Sequence, residues 1–94
     1  MATIDDIISK TKKYNRKSDT KLIMRAYNYA KSAHDGQLRK SGEPYIIHPV
    51  EVAYIVSTLE LDDYAICAAL LHDVVEDTSV TLEDIKTEFG PEIA

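Results

Sequence analysis

The amino-acid sequence predicts an all-α fold of about five helices, and three observations support this class. Apolar residues recur three and four positions apart in successive segments, which is the spacing of one helix face. A serine, threonine or aspartate precedes most of these segments, as expected for a helix N-cap. No segment alternates apolar and polar residues with the period of two that indicates a half-buried strand. We therefore expect one small helical domain, residues 1–94.

The first helix is predicted between Thr3 and about Tyr14, because Thr3 followed by Asp6 matches an N-cap with an acid at the third helical position. Its apolar face consists of Ile4, Ile7, Ile8 and Thr11. Ser18 or Asp19 caps the second helix. The apolar face of that helix consists of Leu22, Ile23, Ala26, Tyr27, Ala30 and Ala33.

Gly36 is expected to end the second helix and to begin a loop over residues 36–48, where no helical or strand period is sustained. A loop of this length is unusual in so small a domain and suggests a functional role. Pro49 suits the first position of a third helix, with His48 near its N-cap. The apolar face of the third helix is predicted to be Val50, Val52, Ala53, Ile55, Val56 and Leu59.

The fourth helix, capped by Asp62 or Asp63, is predicted to be the central element. From Ala65 to Val75 it is apolar almost all the way round, which is typical of a helix surrounded by others. The single cysteine, Cys67, lies in this stretch and is interpreted as a core residue. One cysteine can form no intrachain disulfide, so a reducing compartment, the cytoplasm, is expected.

A short fifth helix is predicted to begin at Thr81 with Asp84 in its first turn, and Phe89 is expected to anchor it inward. Gly90 and Pro91 end it. A helix beginning at Pro91 would have too few residues after it to offset the cost of nucleation. We therefore expect the chain to be the front part of a larger domain, with an apolar surface that could support a homodimer.

The charges are unevenly distributed along the chain. Ten of the eleven lysines and arginines lie between Lys10 and Lys40, whereas twelve acids and one base follow from Glu43 onward. The net charge of −5 argues against a general nucleic-acid binder, and no apolar run is long enough to span a membrane. The asymmetry has two interpretations: two solvated surfaces, or a site where bases hold an anion and acids hold a cation.

The fourth helix ends in the sequence LHDVVED, which places His72, Asp73, Glu76 and Asp77 at one end of a buried element. Positions three and four apart share a helix face, so all four side chains could line one opening. A carboxylate cluster removed from water is costly unless a cation neutralises it. Imidazole with carboxylate suits manganese, iron, zinc or magnesium, and His48 on the long loop could supply a further ligand.

Structural interpretations of the same residues remain open at this point. His72 and Asp73 could cap the fourth helix while Glu76 and Asp77 are solvated. His34, near the end of the second helix, could interact as a cation with the helix dipole. Arg39 and Lys40 could be a solvated loop tip, and residues 45–47 are expected to anchor the loop on the core.

The runs AHDGQLRKSGEPYIIHP and AALLHDVVEDTSVTLEDIKTEFG resemble the N-terminal hydrolase region of the RelA/SpoT homologue family, the long enzymes that make and degrade (p)ppGpp. They also resemble the wider HD superfamily of helical metal-dependent phosphohydrolases. The resemblance implies that His48, His72 and Asp73 bind one Mn²⁺ ion and that Glu76 and Asp77 position or activate the attacking water.

The resemblance further implies that Arg39 contacts guanine, Lys40 lies near phosphate and Ser41 lies near the nucleoside. The implied reaction is hydrolysis of the 3′-diphosphate of (p)ppGpp to GDP or GTP and pyrophosphate, in a parent that also has GTP pyrophosphokinase activity and acts in the stringent response. The family's metal site includes a further aspartate downstream, for which this chain has no counterpart. The 94-residue chain is therefore expected to be a weak enzyme or none.

Three other functions compete with this one. A degenerate domain would bind guanine nucleotide for regulation without turnover. A metal-free helical module would serve only interactions. A different HD phosphohydrolase would act on ordinary nucleotides, although the RKSGEPYIIHP stretch disfavours it.

Overall fold

The structure is a computed structural model that describes residues 2–93, so the two ends of the predicted 1–94 domain, Met1 and Ala94, lie outside the described residues. Within residues 2–93 the chain forms six helices and no β-strand, which confirms the predicted all-α class. The helices are α1 (Ile4–Tyr14), α2 (Thr20–Ala33), α3 (Ile47–Thr58), α4 (Asp63–Leu71), α5 (Val74–Asp77) and α6 (Leu82–Phe89). No helix in this part of the chain is long and apolar enough to cross a membrane.

Local capping explains where four of these helices begin. Thr3 and Asp6 form a capping box at α1, and Thr81 and Asp84 form another at α6. In α2 and α4 an aspartate side chain, of Asp19 and of Asp62, accepts a hydrogen bond from a backbone N–H in the first turn. These starts are those predicted from the sequence.

The central position of α4 is also confirmed, because α4 packs against both α2 and α3 while α1 packs against α2 and α3. Its residues Ile66, Cys67 and Leu70 are fully buried. The predicted inward role of Phe89 is confirmed as well: its ring lies edge-on to that of Tyr29 at a centroid distance of 5.4 Å. The apolar stretch of the fourth predicted helix therefore forms a buried floor beneath the candidate site residues.

Two predicted helix bounds are wrong. The third helix begins at Ile47 with Ile46 as its N-cap, so His48 and Pro49 are its second and third residues. Proline is tolerated there because the first-turn N–H groups have no partner within the helix. The fourth helix does not continue to Val75, because α4 ends at Leu71 and two turn residues, His72 and Asp73, separate it from the one-turn helix α5.

Candidate metal centre

Three side chains converge at the break between α4 and α5. The Asp73 Oδ2 atom lies 3.1 Å from His72 Nε2 and 3.5 Å from His48 Nε2. The potential ligand atoms of these three residues all lie within 4.8 Å of one another. We refer to His48, His72 and Asp73 as the metal cluster. Within residues 2–93 it is the group of imidazoles and carboxylates whose spacing could hold one metal ion.

The helix break explains how adjacent residues can face the same point. In a regular helix consecutive side chains are rotated by roughly 100° about the axis and do not face each other. Asp73 has φ −95° and ψ −5°, close to the bridge region rather than regular helix, so the chain is locally distorted between its two neighbours. His48 reaches the same point from the first turn of α3, which packs on α4.

The His72 ring is oriented by its own backbone. Its Nδ1 atom lies 2.5 Å from the carbonyl oxygen of Ala69. Because a carbonyl only accepts hydrogen bonds, Nδ1 carries a proton and donates it, so in the neutral ring the lone pair lies on Nε2. That nitrogen is the one beside Asp73. A backbone partner on the far ring nitrogen is the usual support of a metal-binding histidine.

The donor set fits a divalent metal ion. Two imidazole nitrogens and one carboxylate oxygen suit a borderline ion, and the one cysteine, Cys67, is buried in the core. The Asp73 side chain is 14% exposed and the two histidine side chains are 36% and 37% exposed, so the cluster opens to solvent on the histidine side. Three protein ligands leave coordination positions for water or substrate.

Glu76 and Asp77 lie near the cluster but face different surroundings. Glu76 lines a cavity of about 330 Å³ together with His72 and apolar side chains of α4, α6 and the residues after α6. The Asp77 Oδ2 atom instead accepts a hydrogen bond of 2.7 Å from the Tyr45 hydroxyl. The sequence suggested that all four acidic and histidine side chains of LHDVVED could line one opening. In the structure His72 and Glu76 line one cavity, whereas Asp77 lies toward the loop.

Tyr45 has a larger part in the site than the sequence indicated. Its hydroxyl is 2.7 Å from Asp77 Oδ2 and 3.3 Å from Asp73 Oδ2, and its ring stacks on that of His34 with centroids 4.6 Å apart. The hydrogen bond to Asp77, burial and the Asp73 charge all raise the pKa of Tyr45 well above its ordinary value. The phenol therefore keeps its proton at neutral pH. Tyr45 was predicted only to anchor the loop. Its hydroxyl also contacts Asp73, 28 positions away, and Asp77, 32 positions away.

The three predicted substrate residues lie together on the loop before α3. Arg39, Lys40 and Ser41 are exposed and line a cavity of about 650 Å³, which Tyr45 also lines. The loop is closed by backbone hydrogen bonds from Arg39 N to Glu43 O at 2.9 Å and from Tyr45 N to Gln37 O at 3.0 Å. Gly42 turns the chain between them with φ +87°, a value that glycine adopts without strain. We call residues 38–44 the basic loop.

His34 lies at the end of α2, where the sequence suggested a cation interacting with the helix dipole, but its side chain is buried. It is the C-cap residue of α2, and it is 3% exposed. Its Nδ1 atom is 2.7 Å from Gln37 Oε1, and its Nε2 atom is buried with no hydrogen-bond partner in the described part of the chain. The spacing of His34 and Gln37 in the sequence gave no signal of this pair.

Comparison with known proteins gives a consistent result. Residues 26–94 match the family model described as HD domain. The chain is 60% identical over 65 residues, 69% of its length, to guanosine-3′,5′-bis(diphosphate) 3′-pyrophosphohydrolase of Haemophilus influenzae, and 44% identical over all 94 residues to the protein of that name from Vibrio cholerae. It is 49% identical over 81 residues, 86% of its length, to GTP pyrophosphokinase of Myxococcus xanthus. The chain spans 10%, 13% and 11% of the length of these three relatives, respectively.

Proposed function

This chain belongs to the HD domain family, and from that membership and the site geometry we propose that it is part of a metal-dependent hydrolase of (p)ppGpp. The observation that carries the proposal is the convergence of the three cluster ligands within 4.8 Å, beside a loop that presents two cations. The similar proteins of Haemophilus influenzae and Vibrio cholerae are named as hydrolases of the 3′-diphosphate of this nucleotide. A matched fold and a matched chemistry thus support one function.

The basic loop is proposed to bind the nucleotide. Arg39 offers a planar guanidinium that can stack on the guanine base, and Lys40 offers a compact charge for a phosphate. Ser41 supplies a hydroxyl near the nucleoside. Because all three side chains are exposed around one cavity, they can close around a ligand that carries several negative charges. Tyr45 links the cavity to the metal cluster, because it lines the cavity and its hydroxyl contacts Asp73.

The metal cluster is proposed to hold a divalent ion, with Mn²⁺ as the expected one. When bound, the ion would polarise a phosphoryl oxygen and lower the pKa of a nearby water. Glu76 is proposed to take the proton of the attacking water, because its exposed carboxylate lines the cavity beside His72. Asp77 is proposed to orient the site, because its Oδ2 atom already accepts the Tyr45 hydrogen bond. One water is consumed as the bond between the ribose 3′ oxygen and the diphosphate breaks, and the products are GDP or GTP and pyrophosphate.

The remaining parts of the function are proposals of wider reach. The whole protein is proposed to act in the cytoplasm and to combine hydrolysis with (p)ppGpp synthesis, as the resemblance to the long enzymes implies. No nucleic acid is proposed as a partner of this segment. Val75 and Leu82 lie beside Glu76 and expose apolar side chains, which could form the contact between two copies of the chain.

Isothermal titration of the 94-residue chain with Mn²⁺, and then with ppGpp, tests binding. Pyrophosphate release is measured on the same chain extended by the residues that follow the matched segment in the Vibrio cholerae relative. We expect binding by both proteins and substantially faster hydrolysis by the extended one. Substituting Glu76→Gln should reduce turnover about 100-fold or more with little change in nucleotide affinity. Tight binding without turnover in the extended protein would instead support the degenerate, regulatory domain.

A further inference from the structure

A chain of hydrogen bonds connects the end of α2 with α5. His34 Nδ1 lies 2.7 Å from Gln37 Oε1, and Gln37 Nε2 lies 2.5 Å from the backbone carbonyl of Asp77. The second contact joins residues 40 positions apart. We call His34, Gln37 and the Asp77 carbonyl the strap.

The donors and acceptors of the strap can be assigned from its two ends. The Asp77 carbonyl can only accept, so the Gln37 amide nitrogen donates to it. The Gln37 oxygen must then face His34, where it accepts a hydrogen bond from Nδ1. His34 therefore carries a proton on Nδ1. The orientation of one amide thus determines which nitrogen of a buried imidazole is protonated.

His34 also supports the basic loop through its ring. The Tyr45 ring lies on it with an interplanar angle of 24°, and the Tyr45 hydroxyl reaches the Asp77 carboxylate. His34 is therefore connected to Asp77 by two routes. Gln37 links it to the Asp77 carbonyl, and Tyr45 links it to the Asp77 carboxylate. An apolar ring at position 34 could fill the same space, yet the chain buries an imidazole whose Nε2 has no partner within residues 2–93. Burying such a nitrogen costs stability, which favours a role beyond filling space.

We propose that His34 is a positioning residue that, through Gln37 and Tyr45, holds α5 and the basic loop in the relative placement that binds nucleotide beside the metal cluster. This inference depends on the proposed function for its ligand, but its geometry does not. The hydrogen-bond and ring contacts of the His34 side chain within residues 2–93 are to Gln37 and Tyr45, and none is to His48, His72 or Asp73. Its loss should therefore affect nucleotide binding and leave the affinity for the ion nearly unchanged.

The test uses the 94-residue chain with His34→Phe, Gln37→Met and both changes together, and with Ser32→Ala as a control at an exposed neighbouring site. We expect each single variant to weaken ppGpp binding in the presence of Mn²⁺ about tenfold and to change Mn²⁺ affinity less than twofold. The double variant should be no weaker than the worse single one, because both changes break one chain of contacts. His34→Asn, which keeps a donor near the Nδ1 position but lacks the ring, should recover part of the loss.

Additive losses, equal losses of Mn²⁺ and ppGpp affinity, or His34→Phe behaving like the control would overturn the proposal. A second measurement is independent of nucleotide. Long-range ¹H–¹⁵N spectra of the metal-free chain should show the His34 proton on Nδ1. Gln37→Met should shift the resonances of Tyr45 and of Thr78, whose amide nitrogen is bonded to the Asp77 carbonyl carbon. If the wild-type chain binds no ppGpp, the proposed function fails, and these spectra alone decide whether the strap exists. A proton found on Nε2 alone would contradict the strap.

Discussion

The metal cluster and the basic loop lie on either side of Tyr45 and are built in opposite ways. The cluster residues stand at helix ends on a buried floor, and His72 is oriented by the Ala69 carbonyl. In the basic loop the backbone is held by hydrogen bonds, but the side chains of Arg39, Lys40 and Ser41 make no hydrogen bond or ion pair to the described residues.

This difference matches the ligands proposed for each region. A metal ion needs a few atoms at fixed distances, which requires ligands that are set before binding. A nucleotide with several phosphates is larger and carries spread charge, so long flexible cations can adapt to it at a cost in side-chain entropy. The cluster should therefore be rigid and specific, and the loop adaptable and sensitive to salt.

The largest expected effect tests the rigidity of the floor beneath the cluster. Burial, with smaller contributions from the charges of Asp63 and Asp19, raises the pKa of Cys67 from 9.0 to about 12. At pH 9 the thiolate fraction in the folded chain should be roughly 500-fold lower than in the unfolded chain. Alkylation by iodoacetamide, followed by mass spectrometry with and without urea, measures this protection.

The same shift sets a pH dependence of stability. Because the folded-state pKa is the higher one, the stabilising contribution is fully present below pH 9 and is lost as the pH rises toward 12. Chemical denaturation at pH 8 and pH 10.5, compared with a Cys67→Ala variant that lacks the titrating group, isolates this contribution. Rapid alkylation of the folded chain at pH 8 would show that α4 is not the rigid support we describe.

The next effect concerns the cluster itself. Asp73→Asn keeps the shape of the side chain but removes the negative charge that lies beside both imidazoles. Mn²⁺ affinity should therefore fall about 100-fold. The matched control is Asp5→Asn, an exposed acid in the first turn of α1. Titration calorimetry measures the Mn²⁺ affinity of both variants. Equal affinities in the two variants would exclude Asp73 as a ligand.

A smaller effect is expected in the basic loop. Lys40→Gln should weaken ppGpp binding about tenfold and leave Mn²⁺ affinity unchanged, because the side chain is exposed and is not part of the metal cluster. The wild-type affinity for ppGpp should also fall as salt rises from 50 to about 300 mM, more steeply than in the variant. Lys12→Gln, which removes an exposed charge from α1, is the control. A comparable loss in that control would mean that net charge, and not the loop, governs binding.

The sequence predicted the parts of this comparison that depend on neighbouring residues. Helix starts were predicted at α1, α2, α4 and α6, because a cap and its partner lie within three residues of each other. The sequence leaves the end of the fourth helix open: one interpretation ends it with His72 and Asp73 as caps, and the other continues it to Val75 because apolar residues follow and no glycine or proline marks a break. The structure has His72 as the C-cap of α4. The start of α3 was misplaced because Pro49 is tolerated anywhere in the first turn.

The contacts that join the two regions could not be predicted in this way. Tyr45 meets Asp77 across 32 residues and Gln37 meets it across 40, and no spacing rule connects positions so far apart. Their types were also ambiguous, because a tyrosine between apolar residues is typical of a loop anchor. The resemblance to a known family assigned roles to the cluster and loop residues, but it assigned none to Tyr45, Gln37 or His34.

The smallest expected effect tests the junction between the regions. Tyr45→Phe keeps the ring stacked on His34 and removes the hydroxyl that donates to Asp77. Because Asp77 is exposed, water can replace the lost donor, so the cost should be only about 1 kcal/mol. We expect this cost to appear in the coupling free energy between Mn²⁺ and ppGpp binding. The factor by which Mn²⁺ increases ppGpp affinity should be about fivefold smaller in the variant, while each ligand alone binds nearly as before. Tyr27→Phe, at another partly buried tyrosine, is the control. If Tyr45→Phe leaves the coupling intact, the two regions act independently and contact through Tyr45 has no energetic consequence.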